Sequence, residues 1–105
     1  MIKVFFRDEP FSDNEALTHV ANVETDDLED AWEKTNNIEG SWSFGKYIPG
    51  YGDNPDYSPL VEVVAPLPVN DMGETRGHRS AMVGDIFVKD GVKFKVAPMG
   101  FEEVA

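Results

Sequence analysis

Apolar and polar residues alternate at the start of the chain, where Ile2, Val4 and Phe6 are interleaved with Lys3, Phe5 and Arg7. That period of two predicts a strand from Ile2 to Arg7 with one face buried. Asp8, Glu9, Pro10, Ser12, Asp13 and Asn14 interrupt the pattern with turn-forming residues. The stretch LTHVANVE at 17–24 then reads as a second strand, antiparallel to the first. A hairpin with a long loop is the expected opening.

The period changes at residue 25. Thr25 and Asp26 offer helix-capping oxygens, and Glu29 stands three residues beyond Asp26, the spacing of a capping box. Several acids here also suit the positive end of a helix dipole. Leu28, Ala31, Trp32 and Thr35 share one face, so a helix from Asp27 to Thr35 is predicted to pack Leu28 and Trp32 on a sheet. Asn36 and Asn37 end it, because asparagine tolerates the left-handed conformation used at helix exits. Residues 38–59 then combine Gly40, Gly45, Gly50 and Gly52 with Pro49, Pro55 and Pro59, which oppose regular structure. They also hold Trp42, Phe44, Tyr47, Tyr51 and Tyr57, unlike a flexible tether, so a long ordered loop is predicted.

Leu60 to Ala65 is a short apolar run between Pro59 and Pro66 and reads as a strand, followed by a loop with turn chemistry at Asn70, Asp71 and Gly73. Ile86 to Val88 and Val92 to Val96 are strands joined across Lys89, Asp90 and Gly91, where Asp-Gly is a strong hairpin signal. Met99 to Val104 adds a closing edge strand. Together these elements predict an α+β fold, with one helix packed on a mostly antiparallel curved sheet, or small open barrel, of about five or six strands. One helix cannot supply the crossovers of a parallel sheet. At 105 residues, with 41% of them apolar, the chain suits a single domain spanning 1–105.

Charge narrows the set of partners. Twenty acids face nine bases, a net charge of -11, so nucleic acid and anionic membranes are repelled. The excess is uneven: residues 1–40 carry eleven acids and three bases, and residues 41–105 carry nine acids and six bases. No cysteine is present, which excludes disulfides, thiolate metal sites and a cysteine nucleophile, and suits a reducing cytoplasm. The opening MIKVFFRDEP is too brief an apolar run for a signal peptide or membrane span, so a cytoplasmic protein is the expectation.

Four features are candidates for chemistry or recognition. Asp26, Asp27, Asp30 and Glu33 form an acidic helix face that is either simply solvated or imitates a row of phosphates and docks into a basic groove of a nucleic-acid-binding host protein. Tyr47, Tyr51 and Tyr57 are of a residue type that dominates binding hot spots, and they are as suited to a partner or ligand as to packing. Trp32 and Trp42 are assigned to the core. Arg76, His78, Arg79 and Ser80 form the one cluster of positive character and could hold an anionic ligand, with Arg79 as a bidentate fork; equally, Arg79 could pair with an acid of the fold. Finally, Val83-Gly84-Asp85 reads as a structural turn in which glycine allows a positive φ or a bulge and Asp85 caps backbone amides.

Neither histidine has a partner at a metal-ligand spacing, and Asp53 and Asp56 lack the alternating ligands of a calcium loop, so no metal and no cofactor are expected. The serines lie in no nucleophile-elbow context, so the chain reads as a non-enzyme; catalysis would need a cleft gathering His78, Asp85 and a serine. An edge strand at 99–104 and spare aromatics would support a homodimer, while the net charge opposes one.

Two segments carry a family likeness: LEDAWEKTNNIEGSW at 28–42 and RSAMVGDIFVKDGVKFKVAPMGFEEV at 79–104. With their Arg-Ser segment, Val-Gly-Asp turn, hairpin and terminal Gly-Phe, they resemble the YodL-like small proteins of phages and bacterial mobile elements. The resemblance covers less than half of the chain. It implies an accessory protein of a phage or mobile element and brings no catalytic residues with it. The leading expectation is therefore an inhibitor-like protein that binds another protein through its acidic helix. The alternative is a small anionic-ligand-binding module using the aromatic loop and the Arg79 region.

Overall fold

The computed structural model describes residues 1–104. The chain runs β1 (Ile2–Arg7), β2 (Leu17–Val23), α1 (Leu28–Glu33), β3 (Tyr47–Ile48), β4 (Gly52–Asp53), β5 (Val61–Val63), β6 (Ile86–Lys89), β7 (Val92–Val96) and β8 (Phe101–Val104). Six strands form one sheet in the order β5-β2-β1-β6-β7-β8, and every neighbouring pair is antiparallel. The sheet is open, with β5 and β8 at its edges, so among the described residues there is no closed barrel.

The alternation in β1 sets the inner face. Ile2, Val4 and Phe6 are buried, and across the sheet they meet Phe87 on β6 and Val23 on β2. Removing each such side chain from water contributes about 1.5–3 kcal/mol. A bulge shifts the β1–β2 register, since Val4 faces Ala21 while Phe5 faces His19, leaving Val20 as the extra residue. It turns Val20 and Ala21 inward in succession, breaking the alternation that the sequence of β2 suggests. On the other face, the rings of His19 and Phe5 stack with centroids 4.7 Å apart.

The C-terminal hairpin is built as its sequence predicts. Lys89 pairs with Val92, so the loop is Asp90-Gly91, and both residues have positive φ, 51° and 78°. This is the geometry that matches the twist of the two strands. Strand β8 pairs with β7 along the edge, as Phe101 faces Val96 and Glu103 faces Phe94.

Four expectations are corrected. The helix is shorter than the predicted Asp27 to Thr35: it has six residues, and its N-cap is Asp27, whose side chain accepts from the Glu29 amide at 2.9 Å. Its inward side is the buried Ala31 and the half-buried Leu28, continued past the helix end by the buried Thr35, which leaves Trp32 outside the core at 40% exposure. The helix exit is right-handed, with Lys34 at φ -71°, and the asparagines act through side chains: Asn36 Nδ2 donates to the Trp32 carbonyl. Lastly, the 38–59 segment contains the two-stranded ribbon β3–β4, because Pro49 and Gly50 (φ 85°) form a tight turn closed by Tyr51 N–H to Ile48 C=O at 2.9 Å.

Candidate functional site

The Arg-His-Arg-Ser cluster is divided by the fold. Arg79 donates from Nη1 and Nη2 to the two Asp85 carboxylate oxygens at 2.7 and 2.8 Å, and also to the carbonyls of Ser80 and Arg7, each at 3.0 Å. Its guanidinium lies 4.4 Å over the Phe6 ring. Asp85 is fully buried and further accepts from the Arg7 and Met82 amides. The turn that holds it closes from Asp85 N–H to Met82 C=O, with Gly84 at φ 97°. The positive φ and the amide caps foreseen for Val83-Gly84-Asp85 are both present. Arg79 therefore spends its fork inside the fold.

The other members of that cluster face elsewhere. His78 stacks on Trp42 with centroids 5.8 Å apart, its Nε2 lies 3.2 Å from the Ala65 carbonyl, and its amide donates to Ser43 Oγ. Ser80 Oγ accepts from the Asn37 amide and ties the helix exit to the sheet. Arg76 is exposed and forms part of the lining of a groove of about 650 Å³, together with Phe44, Ile48, Pro49 and Tyr51.

Trp42 belongs to the core, as the sequence suggests, and it anchors the aromatic segment. It is 2% exposed, and its Nε1 donates to the Arg79 carbonyl at 2.8 Å. Two further side chains hold the base of the ribbon. Asn54 Oδ1 accepts from the Ser41 and Asp56 amides, and its Nδ2 donates to the Ser41 and Gly45 carbonyls. Asp56 accepts from the amides of Ile38, Glu39 and Gly40. Asp56 thus caps backbone amides and Asp53 belongs to β4, and among the described residues no group of three or more His, Asp or Glu side chains converges as metal ligands. From this base the ribbon presents Tyr47 and Tyr51 at 65% and 89% exposure, while Tyr57 is half-buried under Lys46.

The acidic helix face is partly consumed by the fold. Asp27 caps the helix, and Asp30 is bonded by Lys34 one turn on. Hydrogen bonds from Lys34 and, second, from Thr25 hold the Asp30 carboxyl below the usual carboxylate range. Asp26 lies 3.8 Å from the N-terminal amine. Glu29 and Glu33 remain outward, on the rim of a groove of about 540 Å³ between α1 and the start of β8. Trp32, Ala81, Val83, Ala97 and Phe101 supply its apolar surface.

Reading the sequence misses Trp32 and Phe101 as residues of this groove. The signal for Trp32 is the spacing of Leu28, Ala31 and Thr35 at i, i+3 and i+7: the half-buried Leu28 and buried Ala31 take the inner face of so short a helix, Thr35 continues it just beyond the helix end, and Trp32 is turned out. Comparison with protein-family models, curated proteins and solved structures finds no match to this chain. No helix among the described residues is long and apolar enough to cross a membrane.

Proposed function

We propose that this chain is a non-enzymatic accessory protein of a phage or mobile element, working in the host cytoplasm, that binds another protein through the α1–β8 groove. One observation carries the reading: Trp32, 40% exposed, lies in an apolar groove rimmed by Glu29 and Glu33. Tryptophan is among the residue types enriched at the energetic centres of protein interfaces. The unpaired acids around it favour a partner with lysine or arginine beside its apolar contact and repel acidic ones. A basic site on a nucleic-acid-binding host protein has that chemistry, and covering it would inhibit the host protein. The resemblance to YodL-like proteins supports the phage or mobile-element origin.

The contact differs from a phosphate mimic. Because Asp27 and Asp30 are engaged within the fold, what α1 offers is an aromatic anchor with an acidic rim.

The test is a titration with two labelled amphipathic helical peptides that share one leucine stripe, one carrying lysines and the other glutamates on its polar face. Binding of the lysine peptide alone, weakening with salt and lost in both Trp32→Ala and the double variant Glu29→Gln, Glu33→Gln, supports the reading. Equal binding of the two peptides, or affinity untouched by these substitutions, counts against it.

A further inference from the structure

Arg76 is the one arginine whose guanidinium has no hydrogen bond or ion pair among the described residues. Arg79 donates from both terminal nitrogens to Asp85 and two carbonyls, and Arg7 donates from Nη2 to the Ser12 and Asn14 carbonyls, although its buried Nε has no partner among the described residues. Arg76 instead lines the groove of about 650 Å³ that Phe44, Ile48, Pro49 and Tyr51 also line. That volume is in the range of small-molecule sites, roughly 300–1,000 Å³.

The backbone beneath the groove is fixed before any ligand arrives. Asn54 and Asp56 bind eight backbone groups between them and hold the base of the ribbon. The Gly77 backbone, beside Arg76, packs so closely on the 41–44 segment that a Cβ there would come within 2.3 Å of Ser41 Oγ and 3.3 Å of the Phe44 ring. A groove whose lining combines aromatic and apolar side chains with an unpaired guanidinium suits a ligand with a flat ring and an anionic group.

The charge of that ligand is bounded too. Glu74 lines the same groove, where it accepts from Asn70 Nδ2 at 3.2 Å and makes no ion pair with Arg76. With this carboxylate nearby and a net charge of -11, a polyanion is repelled and a single negative charge is tolerated. We infer that this groove binds a small aromatic monocarboxylate, with its carboxylate on Arg76 and its ring against Phe44, Pro49 and Tyr51. The site is separate from the α1–β8 groove and does not depend on it.

The chemistry is shared by a free aromatic acid and by the C-terminal aromatic residue of a peptide. The experiment is an NMR titration of the ¹⁵N-labelled chain with N-acetyl-tryptophan, its amide, a short peptide ending in tryptophan, and adenosine monophosphate. The expected result is saturable shifts at Ser41, Tyr51 and Gly77 with the two free carboxylates and none with the amide; tighter binding of the peptide then assigns a chain terminus, and parity assigns the free acid. Arg76→Gln weakens binding about tenfold or more by removing a charged hydrogen-bonding partner, and Tyr51→Ala weakens it as well. Both positions are exposed, so preserved dispersion of the spectrum shows that the variants fold. The double variant Glu29→Gln, Glu33→Gln leaves this binding unchanged. Equal binding of the amide, tighter binding of the nucleotide, shifts mapping elsewhere, or an unaffected Arg76→Gln variant would each overturn the proposal.

Discussion

The carboxylate of Asp85, with no exposed surface, is gripped by both terminal nitrogens of Arg79, which is itself 31% exposed. The asymmetry in burial makes the two halves of the pair unequal. Arg79→Met strands a carboxylate in the interior, which costs about 3–5 kcal/mol. Asp85→Asn removes the charge, and the remaining guanidinium can still reach water, so the loss is smaller, about 2 kcal/mol, mostly from an amide that cannot accept every bond Asp85 receives. Urea unfolding of the two variants should therefore rank Arg79→Met as the less stable. The reverse order would mean that Arg79 is held by Phe6 and the carbonyls more than by the ion pair.

The two tryptophans should separate in the same assay. Trp42 fills the core against Phe6, with rings edge-to-face at 5.8 Å, and its loss to alanine should cost about 3–5 kcal/mol. Trp32→Ala removes a side chain that already meets water, so stability should change by about 1 kcal/mol or less. Acrylamide should quench the Trp32 component of the emission and spare that of Trp42. A large loss of stability in Trp32→Ala would show that the groove between α1 and β8 is tighter than its geometry indicates.

Asn54 is a local fastener, distinct from these core residues. It is buried at 7% and bridges the Ser41, Gly45 and Asp56 backbones. Asn54→Ala should leave those groups unsatisfied, about 1–3 kcal/mol for the first of them, and release the ribbon while the six-stranded sheet persists. Hydrogen exchange should then accelerate in residues 46–57 and stay slow in β1, β6 and β7. Uniform acceleration through the sheet would instead make the ribbon part of the global folding unit.

How much of this could be read from the chain depended on how local each determinant is. The Asp90-Gly91 hairpin and the alternation of β1 are set by neighbouring residues, and both were legible. The bulge at Val20 was not, because it is defined by which residue of β1 faces His19. The ribbon was hidden by its own glycines and prolines, which argue against strands until Pro49-Gly50 is recognised as the turn between two of them. Trp32 was misassigned because Leu28 and Trp32 are also four apart, and a helix of six residues can bury only one of its two apolar stripes. The fate of Arg79 was left open between ligand and ion pair. Its partner lies six residues away, but only the Gly84 turn brings Asp85 back beneath it.

Acid should reveal the bond between Asp30 and Lys34. The Asp30 carboxyl is held below its ordinary value of 3.8 first by the hydrogen bond from Lys34 and then by that from Thr25. A lowered folded-state value means that the unfolded chain takes up the proton first as pH falls, so the stabilisation is complete above pH 3.8 and fades as pH drops through the lower folded value. The carboxylate is 33% exposed, which screens the pair and keeps its contribution small. Thermal melts of the native chain and Asp30→Asn should differ by a constant margin from neutral pH down to about the ordinary aspartate value, then converge below it. Lys34→Met should narrow the same margin at neutral pH by removing the main donor. A margin that widens in acid would reverse the sign and place the dominant titration on another carboxylate of the fold.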